Sequence, residues 1–474
     1  MTTHSTTAAE ELIRPDPKRW RVLALLSVAQ FMLILDVTVV TIALPSIGVD
    51  LGLSRATLTW VVTAYTLMFG GLMLLGGRAA DIFGARRLVL TGLTIFTASS
   101  LVAGLSVNAE MLIGGRIGQG IGAALLSPAA LSIVTTTFHG TERNKALGVW
   151  GALGGTGAAV GVLFGGLITA GPGWEWIFYI NVPIGLAVLA ALPSVVHTHR
   201  TDRAPRRIDL PGAATVTLAT AAAIYGLINA GDYGWAATST LVPLVLAAAL
   251  YGSFVVIERA VRSPLVNLQI LARRRVVAGA FLMLVATGLL IASFFVGSFY
   301  LQHLRGYSAL TTGLLFLPVA VGTIIGAHSA SRAVGRIGPR HVAGSALAIA
   351  AIGAGVPAIW STPATVVLGI SIAAAGLGAT FVAATTTALS DVQHHEAGVT
   401  SGVINTFHEI GGAVGVAAIS TIAAASLTAQ GTVATTGFTN AFAFSAITAA
   451  VAALAALVVV PAGRISVSAH VGMH

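Results

Sequence analysis

The chain has 474 residues, of which 56% are hydrophobic and only 9% charged, where an ordinary soluble domain carries roughly 25% charged residues. So few charges cannot cover a water-exposed surface, which excludes a soluble protein and leaves an integral membrane protein. With no cysteine, disulfides and thiolate metal sites are excluded as well.

Residues 1–21 are polar, carry Glu10, Glu11 and Asp16 beside Pro15 and Pro17, and read as a flexible cytoplasmic tail. The apolar run behind them is longer than the core of a signal peptide and has no small-residue cleavage pattern after it. Apolar runs of helical length then recur at 22–45, 57–76, 88–106, 111–136, 146–169, 175–196, 209–229, 239–258, 276–301, 312–331, 341–359, 364–390, 399–427 and 438–460. Runs this long are helices, since barrel strands would alternate over about 10 residues. The sequence therefore predicts an all-α integral membrane protein with fourteen transmembrane helices. With the N-terminus inside, twenty-two of the 25 basic residues fall in cytoplasmic tails, loops and helix ends, and only Arg55 and Arg305 in outside loops. This is the positive-inside pattern. It predicts that both termini are cytoplasmic, and it explains the net charge of +9 without a nucleic-acid partner.

The first span holds one acid, Asp36, with no other charge between Arg21 and Asp50. An ionised group at that depth costs about 2.5–3.5 kcal/mol on insertion scales and more in simulations. It is kept where it is paired, faces water, or changes protonation. Fifteen residues beyond Arg21 place Asp36 about 22 Å up a core of about 30 Å.

Between spans 2 and 3 runs GGRAADIFGARR, residues 76–87. Gly77 and Gly84 allow tight turns, Asp81 can cap or pair, and Arg86 and Arg87 sit at the membrane surface, as a cytoplasmic hinge requires. Between spans 10 and 11, GRIGPR at 335–340 echoes DIFGAR at 81–86 with the acid lost, as expected of a duplicated bundle.

In span 4, Arg116, Gln119, Gly120 and Ala123 share one helical face, where small residues admit a close neighbour. Arg116 lies six residues past Glu110, about 9 Å from the outer side, and so at nearly the depth of Asp36. If spans 1 and 4 are neighbours, the two form a charge pair. A carboxylate that gains and loses such a partner can load and release a proton. Span 5, GALGGTGAAVGVLFGGL at 151–167, is too rich in glycine for anything but close packing or bending. WEWIFYINVPIG at 174–185 sets aromatics at the outer interface.

In the second half, His408 and Glu409 fall near the midplane of span 13, with Asn405 one turn before Glu409. A buried Glu beside a titratable His is a functional candidate. Gly411 and Gly415 make a packing stripe just after. Asp391, His394, His395 and Glu396 read as solvated loop residues, and scattered histidines without carboxylate spacing predict no metal site.

LDVTVVTIALP at 35–45, the loop at 77–87, RIGQG at 116–120, the glycine-rich fifth span and WEWIFYINVPIG resemble the major facilitator superfamily. With fourteen spans, the chain is most similar to its drug:proton antiporter branch. The resemblance implies an N-terminal six-helix bundle over 22–196, inserted helices 7 and 8 within 197–275, a C-terminal bundle over 276–460 and a cytoplasmic tail over 461–474. It implies proton coupling at Asp36 and Arg116, to which Glu409 adds a second-half acid. It also implies a conformational switch at Gly77, Asp81, Gly84, Arg86 and Arg87. Thr41, Gln119, Gly120, Gly157, Gly161, Gly165, Asn405 and His408 are expected to line the cavity or pack around it. Thr41 stands where relatives usually have asparagine, and Ala158 and Val162 where they usually have prolines.

The activity expected is proton-driven export of lipophilic or cationic small molecules by alternating access, in a monomer of the bacterial plasma membrane. Neither catalysis nor a cofactor beyond the proton gradient is expected. A dedicated exporter of one metabolite, or an importer, would share the fold, which does not fix substrate.

Overall fold

The computed structural model describes residues 18–138, 140–196, 209–261, 264–265, 268–390, 397–424, 427 and 432–462. They contain helices and no strand, as lipid demands of a backbone that must satisfy its own polar groups. The long helices are α1 (Arg19–Asp50), α2 (Arg55–Phe83), α3 (Ala85–Gly104), α4 (Ala109–Thr137), α5 (Gly140–Ala170), α6 (Trp176–Ser194) and α7 (Leu210–Tyr233). They continue with α8 (Thr238–Ala260), α9 (Arg274–Leu304), α10 (Ala309–Ile337), α11 (Pro339–Ile359), α12 (Pro363–Leu389), α13 (Ala397–Ile422) and α14 (Thr432–Val459). Among the described residues, thirteen helices are long and apolar enough to cross a membrane, and α5 contributes the shorter apolar stretch Val160–Ala170. The chain is a multi-pass membrane protein.

Helix starts follow capping chemistry. Ser54, Asn108, Asp209 and Ser308 each accept a backbone N–H from the first turn of α2, α4, α7 and α10, and Thr362 forms a capping box with Thr365 at α12. The helices depart from the sequence reading in several places. Helix α1 already begins at Arg19, so the expected tail through residue 21 is too long. Pro318 splits α10 at Phe316, because its ring cannot continue the preceding turn. The end of α9 loosens into a π turn over Tyr300–Leu304. Residues 1–17, 197–208 and 463–474, and with them most of the two expected tails and the start of the 197–275 segment, lie outside the described residues, as do Asp391, His394, His395 and Glu396.

Single glycines link α2 to α3 and α10 to α11. Gly84 has φ +93° and Gly338 φ +81°, a backbone that favours glycine. The echo between the two loops is therefore also an echo in backbone geometry. Gly77, by contrast, makes no turn. It lies inside α2 with room around it, because the helix runs on to Phe83. The tight position is Gly76, where a Cβ would strike the backbone of Ala124.

Helices α1–α6 pack around one apolar cluster, which includes Leu26, Phe69, Phe96 and Val134. Helices α9–α14 pack around another, with Leu282, Leu347, Leu377 and Ile404. The largest cluster shared by the two sets joins Val39, Ile42 and Phe178 to Phe295, Phe316 and Phe438. It lies toward the end that carries the Gly52 and Gly306 turns. Helix α7 packs on both α2 and α13, so it lies along the seam between the two sets, and α8 packs on α7 with most of its side chains exposed.

Candidate functional site

Asp36 from α1 and Arg116 from α4 meet inside the first six helices, and both are buried. Arg116 Nη1 donates to Asp36 Oδ2 in an ion pair and to Gln119 Oε1 at 2.8 Å, and its Nε donates to Val61 O on α2 at 3.0 Å. The guanidinium stacks 4.4 Å from the Tyr65 ring centroid, and Tyr65 OH donates to Leu33 O at 3.3 Å. Asp36 Oδ1 accepts from Gln119 Nε2 at 3.0 Å and from Asn181 Nδ2 at 3.2 Å. Both amides also donate to Ser100 Oγ, at 2.8 and 3.4 Å. Each hydrogen-bonding neighbour of this carboxylate is a donor, which is the surrounding an ionised Asp36 needs. One cation and two amides offset the cost of a buried charge that lipid alone would not tolerate.

Glycine sets the helices that close on this site. A Cβ at Gly120 would lie 2.6 Å from Tyr65 O, so α4 can rest on α2 there only without a side chain. Gly157, Gly161 and Gly165 recur every four residues along α5 and face Ile34, Thr38 and Val39, the residues on either side of Asp36. These three glycines let α5 pack closely against α1, while Gly166 lets it pack against Ala309 of α10. Thr41 is buried and bonds back within its own helix, Oγ1 to Val37 O at 2.8 Å.

The second-half acid sits in another setting. Glu409 Oε1 is 3.1 Å from Nδ1 of His408, whose side chain is 40% exposed against 12% for Glu409. A Cβ on Gly70 would lie 2.6 Å from Glu409 Cβ, so Glu409 lies where α13 touches α2. Tyr65, five residues earlier on α2, is in electrostatic range of both Asp36 and Glu409. Asn405 is exposed and makes no hydrogen bond with Glu409, although the two share a helix face. Gly411 and Gly415 pack against Leu284 and Gly288 of α9.

At the Gly84 end, Arg86 Nη2 donates to Pro193 O near the end of α6 at 3.0 Å, and Arg87 is exposed. Asp81, expected to cap or pair, is exposed and does neither among the described residues. At the opposite end, Arg55 is not a loop residue. It sits in the first turn of α2, buried, with Asp232 of α7 as its ion-pair partner. Its Nη2 also donates to Ile228 O at 2.7 Å, and its Nη1 to Ser420 Oγ of α13 at 3.5 Å.

Sequence reasoning missed Tyr65, Ser100 and Asn181. Asn181 is the one amide in the apolar run 176–196, and that isolation was its signal.

Residues 26–416 match the sequence profile of the Major Facilitator Superfamily. The chain is 39% identical to the puromycin resistance protein of Streptomyces alboniger over 86% of this chain and 82% of that protein. It is 38% identical to the cephamycin export protein of Amycolatopsis lactamdurans over 84% of each. Among solved structures, it resembles a bacterial homologue of the human lysosomal transporter Spinster in an inward-facing, unoccupied conformation. That likeness has a TM-score of 0.64 and 17% identity, and covers 94% of this chain and 98% of that one. At this identity it shows the fold alone.

Proposed function

This chain belongs to the Major Facilitator Superfamily, and from that premise we propose that it exports lipophilic or amphipathic antibiotic-like compounds in exchange for protons. It is a transporter, not an enzyme. The export reading is supported by relatives whose names record resistance to puromycin or lincomycin and export of cephamycin. The observation that carries the proton reading is the buried pair of Asp36 and Arg116, held in a membrane span by amide donors. A proton on Asp36 removes the charge that holds Arg116, so occupancy by a proton and the packing of α1 on α4 are linked.

In this reading the fourteen helices are fourteen spans, in two six-helix bundles with α7 and α8 inserted, and the Gly84 and Gly338 links face the cytoplasm with both termini. The shared cluster around Ile42 and Phe316 then closes the outer side, and Gln302 Nε2 donating to Ile42 O at 2.8 Å belongs to that closure. Substrate and proton exchange by rocking of the bundles about the α2–α13 and α5–α10 contacts, in a single copy of the chain and with no cofactor beyond the proton gradient. Glu409, on the α2–α13 contact, is the second proton-binding candidate.

A dedicated exporter of one compound is the second reading, favoured because the puromycin, cephamycin and lincomycin relatives are each named for a single compound. Uptake of a panel of dyes and antibiotics into inverted vesicles, with and without a proton gradient, tests both. Gradient-dependent accumulation of several compounds supports broad export, and of one compound dedicated export. Asp36→Asn should abolish the gradient-driven part, and unchanged transport would end the proton assignment.

A further inference from the structure

We propose that Asn181 senses the proton on Asp36 by turning its side-chain amide, donating to the carboxylate and accepting from the carboxyl. The inference rests on the proton-coupling reading of Asp36. Among the described side chains, the charged and titratable groups around that carboxylate are Arg116 from α4 and Tyr65 from α2, with Glu409 of α13 beyond Tyr65.

The two amides on Asp36 Oδ1 differ in freedom. Gln119 is fixed at both ends, since its Oε1 accepts from Arg116 Nη1 while its Nε2 donates to Asp36 and Ser100. Asn181 is fixed at one end only. Its Nδ2 donates to Asp36 Oδ1 and to Ser100 Oγ, while its Oδ1 is buried and accepts no hydrogen bond. A buried acceptor left empty is costly, and here the empty acceptor belongs to the amide whose other arm touches the acid.

When a proton arrives from water at Asp36 Oδ1, a new O–H forms where two N–H groups already point. The O–H requires an acceptor, and the carboxyl no longer attracts Arg116. Half a turn of the Asn181 amide exchanges Nδ2 for Oδ1 and supplies the acceptor without moving any helix. No covalent bond of the protein breaks. The amide is held for this by Gly185, one turn further along α6, where a Cβ would collide with Thr97 of α3. That close approach of α6 to α3 sets Asn181 beside Ser100 and Asp36. Asn181 is thus a positioning residue for the proton, acting through Asp36.

Infrared difference spectra of the full-length protein in liposomes, recorded as a pH titration, test this. The protonated-carboxyl C=O band of Asp36 is identified by its loss in Asp36→Asn. In Asn181→Leu and Asn181→Ala, the band should move to higher frequency because the carboxyl O–H has lost its acceptor. A purely structural Asn181 would lower the thermal midpoint of both variants and leave the band at its frequency, which would overturn the proposal. If the band survives Asp36→Asn, the proton-coupling reading itself fails, and this inference with it.

Discussion

Arg55 Nη2 lies 2.7 Å from Asp232 Oδ1, joining the first turn of α2 to the last turn of α7. The same guanidinium reaches Ile228 O and Ser420 Oγ, and Thr421 Oγ1 of α13 donates to Leu227 O of α7. Helix α7 is therefore clasped to helices from both sets at one end of the seam. Arg55 is 5% exposed and Asp232 36%, so the cation is the member that cannot turn to water when its partner is lost. Asp232→Ala should lower stability by about 1–3 kcal/mol, toward the low end because the acid is partly solvated. Thermal unfolding of the purified protein in detergent measures this. An unchanged midpoint would show that the clasp adds nothing.

How much of this was legible in the sequence follows from what one dimension records. The pairing of Asp36 with Arg116 was legible because helix rise is fixed at 1.5 Å per residue and the charged boundaries supply a zero for each span. Depth along a helix is a sequence property. Direction around it is not, so Asn181 and Ser100, at the same depth on α6 and α3, were invisible as partners. Arg55 was misread for a related reason. Charge asymmetry assigns a side of the membrane, and burial in a clasp leaves no mark on that count. The loop motif was legible at Gly84, whose positive φ calls for glycine, and misread at Gly77, because residues 76–83 continue α2 with no Pro to stop it.

Arg116 makes directional bonds that lysine cannot reproduce. Its Nη1 serves Asp36 and Gln119, its Nε serves Val61 O, and its plane stacks on Tyr65. A lysine ammonium is a point charge without the fork. Arg116→Lys should keep the charge, lose about 2–4 kcal/mol of stability through the unsatisfied Gln119 and Val61 acceptors, and transport poorly. Arg116→Ala should cost more, because it leaves Asp36 buried without a cation. In the double variant Asp36→Asn/Arg116→Ala much of that loss should return, a coupling that a double-mutant cycle of thermal midpoints would read. Strict additivity of the two single changes would mean the pair is not energetically joined.

The glycine links give a contrast within one motif. Gly84 and Gly338 have φ of +93° and +81°, so alanine at either should cost about 1–2 kcal/mol of backbone strain. The two costs should add, because the links are separate. Gly77 is helical, and the nearest atom to a Cβ there would be Pro128 Cβ at 3.6 Å, so Gly77→Ala should be neutral or stabilising by about 0.5–1 kcal/mol. Thermal midpoints of the three single variants decide it. A Gly77→Ala variant as damaged as Gly84→Ala would contradict the helical assignment of residue 77.

Arg19 at the start of α1 and Glu142 in the first turn of α5 form a two-pronged pair, Nε to Oε2 and Nη2 to Oε1, each at 2.9 Å. Both lie outside the apolar runs. The hydrogen bond from Arg19 holds the Glu142 carboxyl below its ordinary value of 4.5. Since the folded protein binds this proton less tightly than the unfolded chain, the pair favours folding where Glu142 is ionised. That contribution is complete above about pH 4.5 and is lost as pH falls below it, while Arg19 stays charged throughout. Glu142→Gln should therefore melt earlier than the unaltered protein at pH 7, with the gap closing as the medium is acidified through the carboxylate range. The gap should also shrink in high salt, as for any solvated ion pair. A gap that stays constant with pH would mean that the substitution acts through something other than the charge.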